Sequence, residues 1–124
     1  MAPTLDITLH VDPLPDGLGD TLATAAYRIV QEAVTNAIKH AQAHHISVAL
    51  TCTGHALELA VQDDGIGLPA AWQRPGHHGL LGIRERVQAL GGTLTLSAAQ
   101  PAAPRPGLRL SAALPWSQSP VSGT

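Results

Sequence analysis

The chain has 124 residues, enough for one domain with an apolar core and too few for two ordinary domains. Its hydrophobic fraction of 44% and mean hydropathy of +0.10 are typical of a soluble globular protein. The formal net charge is −2, and two tryptophans and one tyrosine are the only aromatic residues. This composition argues against a nucleic-acid surface, which needs a basic stripe or stacking side chains.

The cysteine count and the distribution of apolar residues indicate the compartment of the domain. Cys52 is the single cysteine, which excludes a disulfide framework and a thiolate zinc site and fits a reducing compartment. No window approaches the roughly 18 apolar residues of a membrane span, and no signal-peptide layout opens the chain. A cytoplasmic domain without direct membrane contact is therefore expected, whatever the attachment of a parent protein.

The first half of the chain predicts a strand, a long helix and a strand pair. Residues 5–11 alternate apolar and polar side chains, and the prolines and glycines that follow end this strand. A cap at Asp20 or the next residue starts a helix that is expected to reach about Ala43. Residues 46–52 and 57–61 alternate again and predict two strands joined by a turn.

The second half predicts a loop, a second helix and two more strands. Residues 68–78 contain two prolines and little periodicity, which is typical of a mobile loop. Residues 80–90 carry apolar side chains at helical spacing, and the two glycines that follow end this helix. Residues 93–97 and 108–114 alternate and predict the last two strands.

The strands after the long helix are apolar on one side only, so one face of the sheet must be covered. The two amphipathic helices can cover it. We therefore expect an α/β two-layer sandwich, with a mixed, mainly antiparallel sheet and both helices on one face. A single domain is expected over residues 1–114, followed by a disordered tail at 115–124.

The long predicted helix has a polar stripe opposite its apolar arc. The arc consists of Ala26, Val30, Ala33, Val34, Ala37, Ile38 and Ala41. The stripe consists of Arg28, Glu32, Thr35, Asn36 and Lys39. Glu32, Asn36 and Lys39 have the spacing at which helical side chains meet, so they can converge on one small ligand. An ordinary solvated face is the alternative.

Asp63 is expected at the inner end of a strand. Because side chains alternate, it points the same way as Leu57, Leu59 and Val61, between the sheet and the helices. A carboxylate there is costly unless a group donates to it, so Asp63 either caps a turn or accepts a hydrogen bond from a ligand amine. Asp64 is expected to point outward as a solvated turn residue.

Two glycine clusters flank the predicted loop. Gly65 and Gly67 follow the aspartate pair and can bring backbone close to a flat ligand. Gly79 and Gly82 lead into the second helix, whose first N–H groups suit phosphate. Each cluster alone is equally compatible with a plain turn or helix start, so the informative feature is their order after the polar stripe.

In that order, YRIVQEAVTNAIKHA, DDGIG and GLLGIRERVQALGG resemble the motifs of the ATP-binding domain of sensor histidine kinases, especially of the nitrate-sensor and desaturase-sensor type. This domain has the Bergerat-type fold of a wider group that includes gyrase, the heat-shock chaperone ATPase and mismatch-repair ATPases. The resemblance spans about residues 5–114. It implies a protein histidine kinase catalytic domain that binds Mg-ATP and donates the γ-phosphoryl group to a histidine on a separate dimerisation domain.

The resemblance also implies a role for each matching residue. Asn36 would ligate Mg²⁺, and Glu32 would orient or deprotonate the attacking group or a metal-bound water. Asp63 would bind the adenine amine, with Gly65 and Gly67 as the pocket wall. Residues 68–78 would form a lid over the nucleotide. The remaining expected nucleotide contacts are Lys39, His40, His78, Gly79, Leu80 and Gly82.

The resemblance also implies partners, because the family's dimerisation and phosphoacceptor helices are not part of this sequence. The sequence contains no helical pair with an acceptor histidine. The expected partners are therefore a separate phosphoacceptor domain and, through that domain, a response regulator. A monomer is expected, because dimerisation in this family belongs to those helices. Of the seven histidines, His10 is expected on the solvent side of a strand, and His40, His44 and His45 at the end of the long helix.

Other nucleotide-binding classes fit less well. Lys39 is the only lysine and no GxxxxG precedes it, which excludes a P-loop. A dinucleotide-binding fold is disfavoured because the sequence has a loop, and not a strand, before Gly79 and no acidic residue placed to bind a ribose. A zinc site built from the histidine pairs is disfavoured because the sequence has no HExxH motif. Two readings of the same fold stay open: an anti-sigma-factor-type serine kinase and a non-catalytic nucleotide-sensing domain.

Overall fold

The structure, a computed structural model, describes residues 5–39, 41–68 and 78–116, except for the side chain of His78. The elements in chain order are β1 (Asp6–Val11), a short 3-10 helix (Asp16–Leu18), α1 (Asp20–Lys39), β2 (His45–Cys52), β3 (Ala56–Asp63), α2 (His78–Ala89), β4 (Thr93–Ser97) and β5 (Leu108–Pro115). All the predicted strands and helices are therefore present. Among the described residues, no helix combines the length and apolar character that a membrane crossing requires.

The five strands form one sheet in the order β1-β2-β3-β5-β4. β1 pairs with β2 in parallel, and the other neighbouring pairs are antiparallel. α1 packs over β2 and β3, and α2 packs beside α1 and contacts β4. The expected two-layer sandwich with a mixed, mainly antiparallel sheet is confirmed.

The buried face of α1 is rotated relative to the predicted arc. Ile29, which lies outside that arc, is fully buried at 0% exposure, together with Ala33 and Ala37. Ile38 was assigned to the arc and is 46% exposed, so that assignment is wrong. Because the buried face is centred closer to the polar stripe, Glu32 and Asn36 are half-buried at its border instead of standing in open water.

The predicted helix end near Ala43 is also wrong. α1 ends at Lys39, and Gln42 has a φ of +54°. A residue in the left-handed region cannot continue a right-handed helix. The turn places His44 after the helix and makes His45 the first residue of β2, so the expectation that both histidines end the helix is not met.

The last strand extends past the predicted domain boundary. β5 includes Pro115, and the next residue, Trp116, packs against the core. The Trp116 backbone N–H donates to the carbonyl of His55 at 3.0 Å, and its indole N–H donates to the carbonyl of Thr53 at 2.8 Å. These two residues belong to the fold and not to a disordered tail; residues 117–124 lie outside the described part of the chain.

Candidate functional site

Asp63 occupies the inner end of β3 and is 6% exposed. The apolar residues on the same side of β3 are buried as well, which confirms the orientation predicted from the pleat. Asp63 Oδ1 accepts a hydrogen bond from the Gly65 N–H at 2.8 Å. Burial raises the pKa of Asp63, against the opposing effect of hydrogen bonds from the backbone of Gly65 and Leu108. Since a carboxylate has about four acceptor positions, Asp63 retains capacity for a ligand amine.

The backbone around Asp63 requires glycine at three positions. A Cβ on Gly65 would overlap the carbonyl of Ala41, and a Cβ on Gly107 would overlap the carbonyl of Asp63. Gly67 and Gly107 have φ values of +98° and +66°, which L side chains rarely adopt. The Gly107 N–H donates to the Gly65 carbonyl at 2.9 Å and closes the turn. Gly107 is not among the predicted site residues, and its only sequence signal is its place just before a predicted strand.

Asp64 points away from the helices but is not a free turn residue. Its Oδ1 accepts hydrogen bonds from the backbone N–H groups of His44 at 2.7 Å and His45 at 2.9 Å. Its Oδ2 lies 2.6 Å from His45 Nδ1. Partial burial opposes ionisation of Asp64, but these hydrogen bonds, first that of the His45 side chain, lower its pKa well below the usual range. The Asp64 carboxylate in turn raises the pKa of His45.

At the other end of the site, one face of α2 follows the polar stripe of α1. A Cβ on Gly79 would overlap the carboxamide of Asn36. One turn later, a Cβ on Gly82 would stand 3.5 Å from Glu32 Oε2. One further turn along, Arg86 Nη2 donates to Glu32 Oε1 at 3.3 Å. The two glycines therefore bring α2 close to Asn36 and Glu32, and the arginine pairs with the carboxylate.

Two buried nitrogen atoms of this helix contact, Asn36 Nδ2 and Arg86 Nε, have no hydrogen-bond partner within residues 5–39, 41–68 and 78–116. A buried donor without an acceptor costs about 1–3 kcal/mol. Such groups call for an explanation, and a polar ligand that supplies the missing partner is one. The contact is therefore a candidate place for the charged part of a ligand.

The other predicted site residues are distributed unevenly. Lys39 is exposed in the last turn of α1. The Leu80 side chain is 8% exposed and belongs to the core, so Leu80 can meet a ligand only through its backbone. His40 and most of the predicted lid, with Trp72, lie outside the described residues, and nothing is described of the His78 side chain.

The donor set fits magnesium better than zinc. In the described part of the chain, no group of three or more His, Cys, Asp or Glu residues is placed to hold a metal ion. Mg²⁺ is usually bound through one or two protein oxygen atoms, with phosphate oxygens and water completing its shell. The half-buried carboxamide of Asn36, whose nitrogen is unpaired, and the neighbouring carboxylate of Glu32 fit that requirement.

Comparison with known proteins agrees with this geometry. Residues 21–118 match the family model described as histidine kinase-, DNA gyrase B-, and HSP90-like ATPase. The chain therefore belongs to this ATPase family, as a histidine kinase ATP-binding domain of the kind used in two-component signal transduction. The resemblance expected from the three sequence motifs is confirmed.

Two curated relatives and one solved structure illustrate the match. The chain is 38% identical over 111 residues to the histidine-protein kinase/phosphatase UhpB of Salmonella typhimurium, covering 88% of this chain and 21% of that protein. It is 44% identical over 71 residues to the nitrate/nitrite sensor protein NarQ of Escherichia coli, covering 56% of this chain and 12% of that protein. The ATP binding domain of PrrB from Mycobacterium tuberculosis matches with a TM-score of 0.64 and 28% identity, over 92% and 82% of the two chains. The chain thus spans about a fifth or less of the two curated relatives.

Proposed function

We propose that the chain binds Mg-ATP and donates the γ-phosphoryl group to a histidine on a separate dimerisation and phosphoacceptor domain, which then serves a response regulator. The observation that carries this proposal is the placement of Asp63. A nearly fully buried carboxylate lies at the end of β3, on the side of the sheet that also holds the half-buried Glu32 and Asn36. The Gly65 N–H caps this carboxylate and offsets part of the cost of burying it, and a ligand amine at the remaining acceptor positions would offset more.

The adenine end of the proposed site is formed by backbone and one carboxylate. Asp63 accepts a hydrogen bond from the exocyclic amine of adenine. Gly65 and Gly67 form the pocket wall with their backbone. Both positions need glycine, because a Cβ on Gly65 would overlap the Ala41 carbonyl and Gly67 has a φ of +98°. The turn closed by Gly107 holds these groups in place before the nucleotide arrives.

The phosphate end lies where α2 begins beside α1. The first N–H groups of a helix have no partners within the helix and, with its dipole, attract anions. α2 has 12 residues and begins at His78, so the backbone of Gly79 and Leu80 can face phosphate oxygens. Lys39 supplies a cation from the last turn of α1.

In this proposal Asn36 holds Mg²⁺ through its carboxamide oxygen. When bound, the ion neutralises negative charge on the phosphates. Glu32 orients the attacking imidazole by accepting its N–H, and it takes that proton as the other ring nitrogen bonds to the γ-phosphorus. The bond from the γ-phosphorus to the bridging oxygen breaks, and ADP leaves.

Calorimetry followed by a transfer assay tests the proposal. We expect ATP and ADP to bind, with Mg²⁺ dependence for ATP, and we expect transfer of labelled γ-phosphate to an added phosphoacceptor domain of a related kinase. The product should be acid-labile, as a phosphohistidine is. An acid-stable product on an added partner would favour the serine kinase alternative, and binding without any transfer would favour a nucleotide-sensing domain.

A further inference from the structure

We infer that Arg86 is a positioning residue, which acts through Glu32 to hold the carboxylate beside the reacting phosphoryl group. The inference rests on the proposed function, because it assigns a purpose to a contact at the phosphate end of that site. It adds Arg86, a residue of α2, to the polar side chains that the sequence predicted for the site.

The contact is a direct ion pair between the two helices. Arg86 Nη2 lies 3.3 Å from Glu32 Oε1, and the two side chains are 36% and 35% exposed. Partial shielding from water makes such a pair firmer than one on an open surface. The guanidinium therefore restricts the rotamers of a carboxylate that would otherwise sample several.

The pairing also gives the two carboxylate oxygens of Glu32 different surroundings. Oε1 is engaged by Arg86, whereas Oε2 faces Gly82, where a Cβ would stand 3.5 Å away. Because Gly82 has no side chain, the space beside Oε2 stays open. One oxygen is thus held, and the other is left to accept a proton or orient the attacking group.

Arg86 further links this orientation to the position of α2. The same face of α2 meets Asn36 at Gly79, two turns before Arg86. Arg86 can reach Glu32 only while α2 lies along α1 in this register. The carboxylate is therefore fixed when the start of α2 is also in place for the phosphates, so that both halves of the phosphate end form together.

Packing alone does not account for the arginine. Its Nε is buried and has no acceptor in the part of the chain that the structure describes. An arginine selected only for packing would be better replaced by an apolar side chain of similar length, since its buried donors are costly. The ion pair with Glu32 accounts for a guanidinium at this position.

The test is a double-mutant cycle on transfer to an added phosphoacceptor domain, measured in a single turnover at saturating Mg-ATP. The variants are Arg86→Met, Arg86→Lys, Glu32→Gln and the double variant R86M/E32Q. The matched control is Arg109→Met, which removes another arginine–side chain hydrogen bond, 3.2 Å long to Gln62, from β5. Circular dichroism reports the thermal midpoint of each variant.

We expect R86M to slow transfer by at least about tenfold, because small displacements of catalytic groups cost up to about a hundredfold. Nucleotide affinity should change by less than about threefold, since the interaction acts in the transfer step. R86K should recover part of the rate. R86M/E32Q should be no slower than E32Q alone, because Arg86 acts through Glu32. R109M should transfer normally.

Three results would overturn the inference while the proposed function stands: normal transfer by R86M, a loss expressed only in nucleotide affinity, or additive losses in the double variant. If R86M does not fold, the cycle is run with R86K and Arg86→Gln, and the same outcomes decide. A wild-type chain that binds nucleotide but transfers nothing overturns the proposed function itself, and this inference with it.

Discussion

The two ends of the candidate site are organised by different kinds of contact. Around Asp63, the carboxylate accepts from the Gly65 N–H, and Gly107 closes the turn through a second backbone bond. At Glu32 and Asn36, the contacts join side chains to a neighbouring helix. The first end is therefore built by turns that flank β3 and β5 at the edge of the sheet, and the second depends on how two helices pack.

The difference extends to unused bonding capacity. The buried unpaired nitrogens in the described residues, Asn36 Nδ2 and Arg86 Nε, both lie at the helix contact. At the other end, Asp64 is bonded to the backbone and side chain of the start of β2. In the proposed site, the base-binding end is therefore formed without a ligand, whereas the phosphate end keeps two buried donors without partners among the described residues.

The largest effect should come from the phosphate end. Asn36→Ala is expected to lower Mg²⁺-dependent phosphotransfer by about a hundredfold or more, because it removes the oxygen assigned to the metal beside the developing charge. The fold should remain, since Asn36 is only half-buried. The measurement is transfer to an added phosphoacceptor domain.

Gln31→Ala is the control for that change, because it removes an exposed carboxamide from the same helix. Normal transfer by the Asn36 variant would count against its role as the metal ligand. It would also contradict the expectation that changes at the phosphate end lower phosphotransfer whereas changes at the adenine end lower nucleotide affinity.

The next effect should come from the adenine end. Asp63→Asn is expected to weaken ATP and ADP binding by more than about tenfold, or about 1.4 kcal/mol, because the charged acceptor is lost. Calorimetry measures it, with Glu58→Gln as the control, since Glu58 is exposed on the same strand. Unchanged affinity would remove Asp63 from the pocket.

A third change tests the backbone turn of the adenine end independently of the Asp63 carboxylate. Gly107→Ala is expected to lower the free energy of unfolding by roughly 1–3 kcal/mol, because an alanine strains the left-handed backbone and its Cβ overlaps the Asp63 carbonyl. Denaturant titration measures it. Gly54→Ala is the control, since nothing lies within 4 Å of a Cβ there and its φ is not in the left-handed region. Equal stability of the two variants would contradict a preformed turn.

The smallest effect should be a pH dependence at the junction of β2 and β3. The pKa of His45 is raised above 6.5 by its hydrogen bond to Asp64, so the pair stabilises the fold fully below pH 6.5 and loses this effect as pH rises through the folded pKa. His45→Gln should therefore lower the melting temperature more at about pH 5.5 than at about pH 8.5.

The exposed turn residue His55 supplies the control for this measurement. If His45→Gln and His55→Gln show the same dependence on pH, the His45–Asp64 pair does not contribute to stability. The effect is expected to be small because the pair is solvent-accessible.

Features with a local cause were predictable from the sequence. The alternation of side chains along a strand placed Asp63 on the buried side, and the structure confirms that direction. The spacing of Glu32 and Asn36 on one helix face follows from the 3.6-residue turn in the same way. A glycine pair after α2 indicated its end, and Gly91 does have a φ of +72°.

Features with a distant cause were decided only by the tertiary structure. The rotation that buries Ile29 and exposes Ile38 depends on which neighbours α1 packs against. Arg86 and Glu32 are 54 residues apart, and Trp116 bonds to Thr53 across 63 residues. Periodicity reports which face of an element is apolar, but it does not report which elements meet. That depends on how the apolar faces are buried together, and this packing brings α2 onto the polar stripe of α1.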